Sequence, residues 1–149
     1  MSSRVLVPRN PGFESAVRES FERQTFMATL GVRLTRVAPG MVDLLLPYSP
    51  AFCQQNGFMH AGAVATVADS ANGYAAYTLA DAGTDVLAVE FKINLLAPAK
   101  GDSFLARGRV LRAGKTLTVC LAEVVAREGG QETHIATMLS TLIIRPVPR

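Results

Sequence analysis

From His60 to Ala80 the chain reads HAGAVATVADSANGYAAYTLA, a run of small and apolar residues broken by one acid, Asp69. The run is too long and too continuous for a strand, and its apolar positions form no stripe. It therefore predicts a helix over about Ala61–Ala80 with protein on all sides. Its small residues (Ala61, Ala65, Ala68, Ala71, Ala75 and the glycines 62 and 73) predict a sheet lying very close against it. An interior glycine costs a helix roughly 1 kcal/mol relative to alanine, so two of them imply that close approach outweighs propensity. A carboxylate at the centre of such a helix needs a reason, because burying it is costly.

The flanking segments supply a sheet. Asn10-Pro11 can start a helix, and Phe13, Val17 and Phe21 share one face at a spacing of four. Strands are predicted around Val32–Ala38 and Met41–Pro47, with Pro39-Gly40 as the turn. Gln54, Gln55, Asn56 and Gly57 read as a loop before the buried helix. Beyond it the period becomes two. Leu87, Val89, Phe91, Ile93 and Leu95 alternate with Ala88, Glu90, Lys92 and Asn94, which predicts a half-buried strand ended by Pro98. Ser103–Arg112, Thr116–Arg127 and His134–Arg145 follow, joined by turns at Ala113-Gly114 and Glu128–Gln131. Consecutive strands with short turns mean an antiparallel sheet, and one long curved sheet around a central helix accounts for both patterns. The expectation is one α+β domain over 1–149, with an N-terminal helix at about 11–28 and a core at about 31–145.

Composition removes several functional classes. A chain of 149 residues that is 49% hydrophobic and 18% charged folds around a core of its own. The net charge of +3 is spread without a basic cluster, and there is no tryptophan, which argues against nucleic-acid binding and leaves room for a small anionic ligand. Cys53, Cys120, His60 and His134 are isolated, so no metal site is expected, and both cysteines read as packing residues in a reducing compartment. The first residues carry no apolar run of signal-peptide length, and Asp69 interrupts the one segment near membrane-spanning length. These features predict a soluble cytoplasmic protein.

Four short motifs carry a family resemblance over roughly Gly31 to Ile144. They are His60-Ala61-Gly62 at the helix start, Ala68-Asp69 within it, Val89-Glu90-Phe91-Lys92-Ile93-Asn94 running into Ala97-Pro98-Ala99, and Ala113-Gly114-Lys115-Thr116-Leu117. The chain resembles the hotdog-fold acyl-CoA thioesterases of the phenylacetate-degradation, 4-hydroxybenzoyl-CoA thioesterase-like type. The family pattern is His-Gly-Gly with an acid nine residues on and an Asn or Gln six residues before the histidine. Here the acid is Asp69 and the amide is Gln54. Two positions depart. Ala61 stands for the middle glycine, and Ala88 stands where some relatives have a water-holding serine. Alanine keeps the backbone N–H but takes positive φ less freely than glycine, so the departure at Ala61 bears on the oxyanion geometry.

The resemblance implies hydrolysis of an acyl-CoA thioester, with no cofactor beyond the CoA carried by the substrate. Asp69 would act as general base or nucleophile. The free N–H groups of the helix start, at Ala61 and at Gly62, would hold the thioester oxygen. His60 would shape the entry to the helix rather than act as a base, and Lys92, Arg112 and Lys115 would be candidates for the CoA phosphates. Burial should raise the Asp69 pKa and nearby donors should lower it. From His60 to Asp69 a helix rises about 13 Å, so the acid cannot reach its own helix start. The family resolves this with a homodimer, in some members a homotetramer, in which each helix start faces the partner's acid. Two other readings use the same residues: a hotdog hydratase or dehydratase, which needs acid and histidine close in space, and a non-catalytic acyl-CoA-binding dimer.

Overall fold

The computed structural model describes residues 5–147, so positions 1–4 and 148–149 of the expected domain lie outside the described residues. In chain order the elements are α1 (Phe13–Glu22), α2 (Thr25–Leu30), β1 (Arg33–Ala38), β2 (Met41–Pro47), α3 (Ala61–Tyr77), β3 (Thr84–Leu95), β4 (Ser103–Ala113), β5 (Leu117–Glu128) and β6 (Gln131–Pro146), with one 3-10 turn at Pro50–Phe52. The strands form one sheet in the order β1-β2-β4-β5-β6-β3, every neighbouring pair antiparallel. Helix α3 lies against this sheet, which is the expected hotdog architecture.

The N-terminal helix differs from expectation. It is two helices, broken where Gln24 turns extended at φ −81° and ψ 93°. The core explains the break. Val17 is the buried residue of α1, and one unbroken helix would place Gln24, seven residues on, over the same face. Breaking the helix re-phases the chain, so that Met27 and Leu30 are buried instead. Gly31, at φ 70°, then ends α2 in the left-handed conformation that glycine adopts without strain.

Close packing between helix and sheet is present, but the glycine that permits it is on the sheet. A Cβ on Gly108 of β4 would lie 2.4 Å from the backbone C and O of Ala71. Ala68, Ala71 and Ala75 are fully buried on the helix side of this contact. The glycines inside α3 do not touch the sheet backbone: a Cβ on Gly73 would meet only Leu142 Cδ2, at 3.9 Å. Helix α3 also ends earlier than predicted, at Tyr77. The Thr78 hydroxyl donates to Ala75 O (2.6 Å) and accepts from Gly40 N–H (2.7 Å), which ties the helix end to the β1–β2 turn.

Two burial expectations are corrected. Protein does not surround α3 within one chain: Val64, Val67, Ala68 and Ala71 face the core, while Ala61 and Gly62 are exposed and Thr66, Asp69, Ser70 and Gly73 are only half-buried. Strand β3 is not half-buried along an alternating face. Ala88 pairs with Leu142 and Glu90 with Thr141, so Val89 is an extra residue, and this bulge shifts the side-chain alternation. Leu87, Val89, Phe91 and Leu95 are 41%, 56%, 47% and 55% exposed on a strand at the edge of the sheet. The core itself is conventional, with Phe104, Leu44, Leu46, Ile135 and Met138 essentially inaccessible. Among the described residues no helix is long and apolar enough to cross a membrane, and no group of three or more His, Cys, Asp or Glu side chains converges to hold a metal. Cys53 and Cys120 are both free thiols, and burial pushes the Cys120 thiol up to about 12.

Candidate active site

The site is built on the exposed side of α3. His60 is the N-cap, extended at φ −60° and ψ 138°, and its Nδ1 accepts the Gly62 N–H at 2.8 Å. The ring therefore carries its proton on Nε2. The Ala63 and Val64 N–H groups bond to His60 O at 2.9 and 3.2 Å. Of the first four helix donors only Ala61 N–H has no acceptor among the described residues. The sequence offered two donors, Ala61 and Gly62. The Gly62 N–H is already taken by the histidine cap, and a Cβ on Gly62 would stand 3.0 Å from His60 Nδ1, which explains the glycine. The departure at Ala61 carries no backbone penalty here. No described non-glycine residue has positive φ, and Ala61 sits in ordinary helical conformation as the first residue of α3.

Gln54 belongs to the tight loop before this helix. Its N–H donates to Phe58 O, its O accepts from Gly57 N–H, and its side-chain Oε1 accepts from Asn56 N–H. Gly57 takes φ 83° to close the turn. The side-chain NH2 of Gln54 has no partner among the described residues, but the amide lines neither opening at Asp69.

Asp69 lies midway along α3. Its Oδ1 is buried and has no hydrogen-bond partner among the described residues. Burial pushes its carboxyl above the ordinary range, and no donor counters it. The carboxylate lines two adjoining openings. One is a cavity of about 160 Å3 between α1, α3 and the edge strand, walled by Ser20, Gly73, Tyr74, Ala88 and Leu142. The other is a groove of about 510 Å3 along the helix, reaching Gly62, Thr66 and Phe91. Gly62, Thr66, Asp69 and Gly73, spaced by four, three and four, share one helix face. The open groove thus connects the helix start with the acid.

The N-terminal segment contributes residues that the sequence did not single out. Gln24 lines both openings, and its Oε1 accepts from the Ser70 hydroxyl at 3.4 Å. The Ser20 hydroxyl meets the Tyr74 hydroxyl at 3.3 Å. The available signal was a polar pair four residues apart, Ser20 and Gln24, on the segment that leads into α2. The three expected phosphate contacts are not brought to Asp69 within the chain. Lys92 donates to Asn94 on the edge strand (2.7 Å), Arg112 lines a separate groove with Arg9 and Leu79, and Lys115 is exposed in the β4–β5 turn.

A six-stranded antiparallel sheet packed against one long helix, with an unpartnered carboxylate in the middle of that helix, defines a hotdog-fold protein with a mid-helix acid. The model of the thioesterase superfamily matches residues 56–133, more than half of the chain, and the chain belongs to that family. A thioesterase family protein from Silicibacter pomeroyi has the same fold at a TM-score of 0.90 and 49% identity, covering 91% of this chain and all of that one. A Saccharolobus solfataricus protein with a provisional esterase name is 31% identical over 115 residues, 76% of this chain and 81% of its own. The Escherichia coli PaaI protein, from the phenylacetic acid degradation operon, matches at a TM-score of 0.81 and 19% identity over 94% and 96% of the two chains, a likeness of fold.

Proposed function

We propose that this thioesterase hydrolyses acyl-CoA in the cytoplasm, as a homodimer whose two active sites each combine Ala61 of one protomer with the acid of the other. The observation that carries the reading is Asp69, a carboxylate held in an apolar helix, with one oxygen buried and unpartnered and an open groove at its face. Among the described residues no hydrogen bond or ion pair uses this carboxylate. The thioester oxygen lies on the Ala61 N–H at the positive end of the helix, where negative charge is favoured. Asp69 takes a proton from water as the water oxygen attacks the carbonyl carbon. The C–S bond then breaks, and the CoA thiolate leaves and is protonated. If the carboxylate attacks directly, a mixed anhydride forms with loss of CoA and is then hydrolysed. Label in Asp69 after a single turnover in 18O water would establish the second route, with water attacking the Asp69 carboxyl carbon of the anhydride; the first route puts label only in the product acid. No further cofactor enters either route, and Lys92, Arg112 and Lys115 are the candidates for the CoA phosphates.

The dimer follows from reach. Ala61 and Asp69 are separated by eight residues, about 12 Å of helical rise, and one carbonyl group cannot touch both. Strand β3 offers the surface. It is a 12-residue edge strand with exposed Leu87, Val89, Phe91 and Leu95, and an uncovered edge of this kind pairs readily with another chain. The outer sheet face, where Leu117 and Leu139 are each 45% exposed, supports association of dimers into a tetramer. Neither Leu87 nor Val89 lines the openings at Asp69. Leu87→Lys with Val89→Lys should therefore give a folded monomer by light scattering that has lost thiol release. A fully active monomer would refute the shared site. The hydratase reading has less support, because His60 Nδ1 is occupied by the helix cap.

The test of function is release of free thiol from a panel of aromatic and straight-chain acyl-CoAs by the wild type and by Asp69→Ala. Turnover that collapses in a folded, dimeric variant is the expected result. A variant that keeps full turnover, or a wild type inert on every thioester, would sink the reading.

A further inference from the structure

Gly73 has no structural reason to be glycine. It lies in the interior of α3, where glycine weakens a helix relative to alanine. Gly108 is pressed against the Ala71 backbone, Gly62 lies under the His60 ring, and Gly31 and Gly40 have positive φ. Gly73 meets none of these conditions. Its φ is not positive, and an added Cβ would touch only Leu142 Cδ2, in ordinary contact at 3.9 Å. The space it leaves opens into the 160 Å3 cavity that Asp69 lines. Gly73 is four residues after Asp69, so it points the same way one turn further along the helix. Across the cavity stand Ala88, another small residue, and Leu142.

We propose that Gly73 is the specificity-determining residue of the acyl site: the missing side chain leaves room beside Asp69 for a bulky acyl group, and any side chain there restricts the enzyme to short ones. This rests on the thioesterase reading above. An acyl group whose carbonyl lies at Asp69 has only two directions to run, along the helix groove toward Gly62 or into the cavity past Gly73. The groove leads to the helix start of the same protomer, which in the dimer belongs to the other active site. The cavity is left for the acyl body. One methylene of mismatch in such a pocket changes discrimination by about tenfold or more.

The test uses Gly73→Ala and Gly73→Val in the full-length protein. Gly73→Ala should raise Tm by about 3 °C, because it gains helix propensity without a clash. In Gly73→Val the ratio of kcat/KM for phenylacetyl-CoA to that for acetyl-CoA should fall at least about tenfold, with Gly73→Ala between it and the wild type. Calorimetric binding of two non-hydrolysable thioethers, phenacyl-CoA and acetonyl-CoA, should show the same loss for the larger ligand alone. If the wild type binds both thioethers and hydrolyses neither thioester, the thioesterase reading fails, and the binding ratio alone decides the role of Gly73. An unchanged ratio in both variants overturns the proposal. So does a lower Tm in Gly73→Ala, or dissociation of that variant into monomers, since either would show that the glycine serves packing.

Discussion

Asp69→Asn is expected to lower kcat by about 10²–10⁴-fold, the range for losing a positioned proton acceptor, and to leave the fold and the dimer intact. It should also make the protein more stable at neutral pH. Burial raises the Asp69 pKa in the folded chain, and no donor compensates. The sign follows from linkage. Below the ordinary carboxyl range the group is neutral in both states and costs nothing by ionisation. As pH rises through that range the unfolded chain releases its proton first. Folding then bears the cost of holding the proton or burying the charge, and the full penalty is present above the raised pKa. Asparagine removes the penalty. The Tm of the variant should exceed that of the wild type at pH 7, and the gap should close as pH falls toward 4. Scanning calorimetry between pH 3.5 and 8 measures this directly. In the wild type kcat/KM should rise with pH on its acid limb as the carboxylate forms. A stabilising substitution that removes activity would show that the acid is kept for chemistry and opposes stability.

Gly108→Ala should have the largest effect on stability. The new Cβ would fall 2.4 Å from both C and O of Ala71 and 2.8 Å from Asn72 N, all backbone atoms that cannot rotate away. Helix and sheet must separate at the point where Ala68, Ala71 and Ala75 are packed without exposure. Overpacking of this kind costs typically 1–3 kcal/mol, and the upper end, about 3 kcal/mol, is expected because no side chain can give way. Chemical denaturation at pH 7 checks it. Activity should fall as well, since Ala71 is two residues from Asp69 and the helix carries both. Wild-type stability in Gly108→Ala would mean that the helix stands further from β4 than described. The contrast with Gly73→Ala is informative: the same substitution, on facing elements, is expected to act in opposite directions.

Much of the fold was legible because its patterns are local. The run of small residues from Ala61 predicted the central helix, and Pro39-Gly40, Ala113-Gly114 and Gly129-Gly130 marked the turns of the antiparallel sheet. What was missed depended on distant contacts. The break at Gln24 exists because Met27 and Leu30 must meet a core built from later strands. The bulge at Val89 is a matter of pairing with β6, invisible in an alternating sequence that looks regular. Which glycines serve packing was also hidden. Gly62 and Gly73 looked like close-approach residues by position, yet the close approach belongs to Gly108, on a strand more than thirty residues later.

The candidate site divides in the same way. Asp69 stood out as the one acid in an apolar helix, and the family resemblance added His60 and Ala61 at the start of that same helix. Gln24, Ser20 and the cavity at Gly73 did not stand out, because they come from elements brought together only by packing. The helix, its polarity and the place of its one carboxylate follow from local residues, since each depends on positions within a few turns of one another. Which face of that helix stays open, and that the edge strand is left uncovered, were settled by packing between distant segments. These depend on sheet order and register, which short-range propensity does not encode.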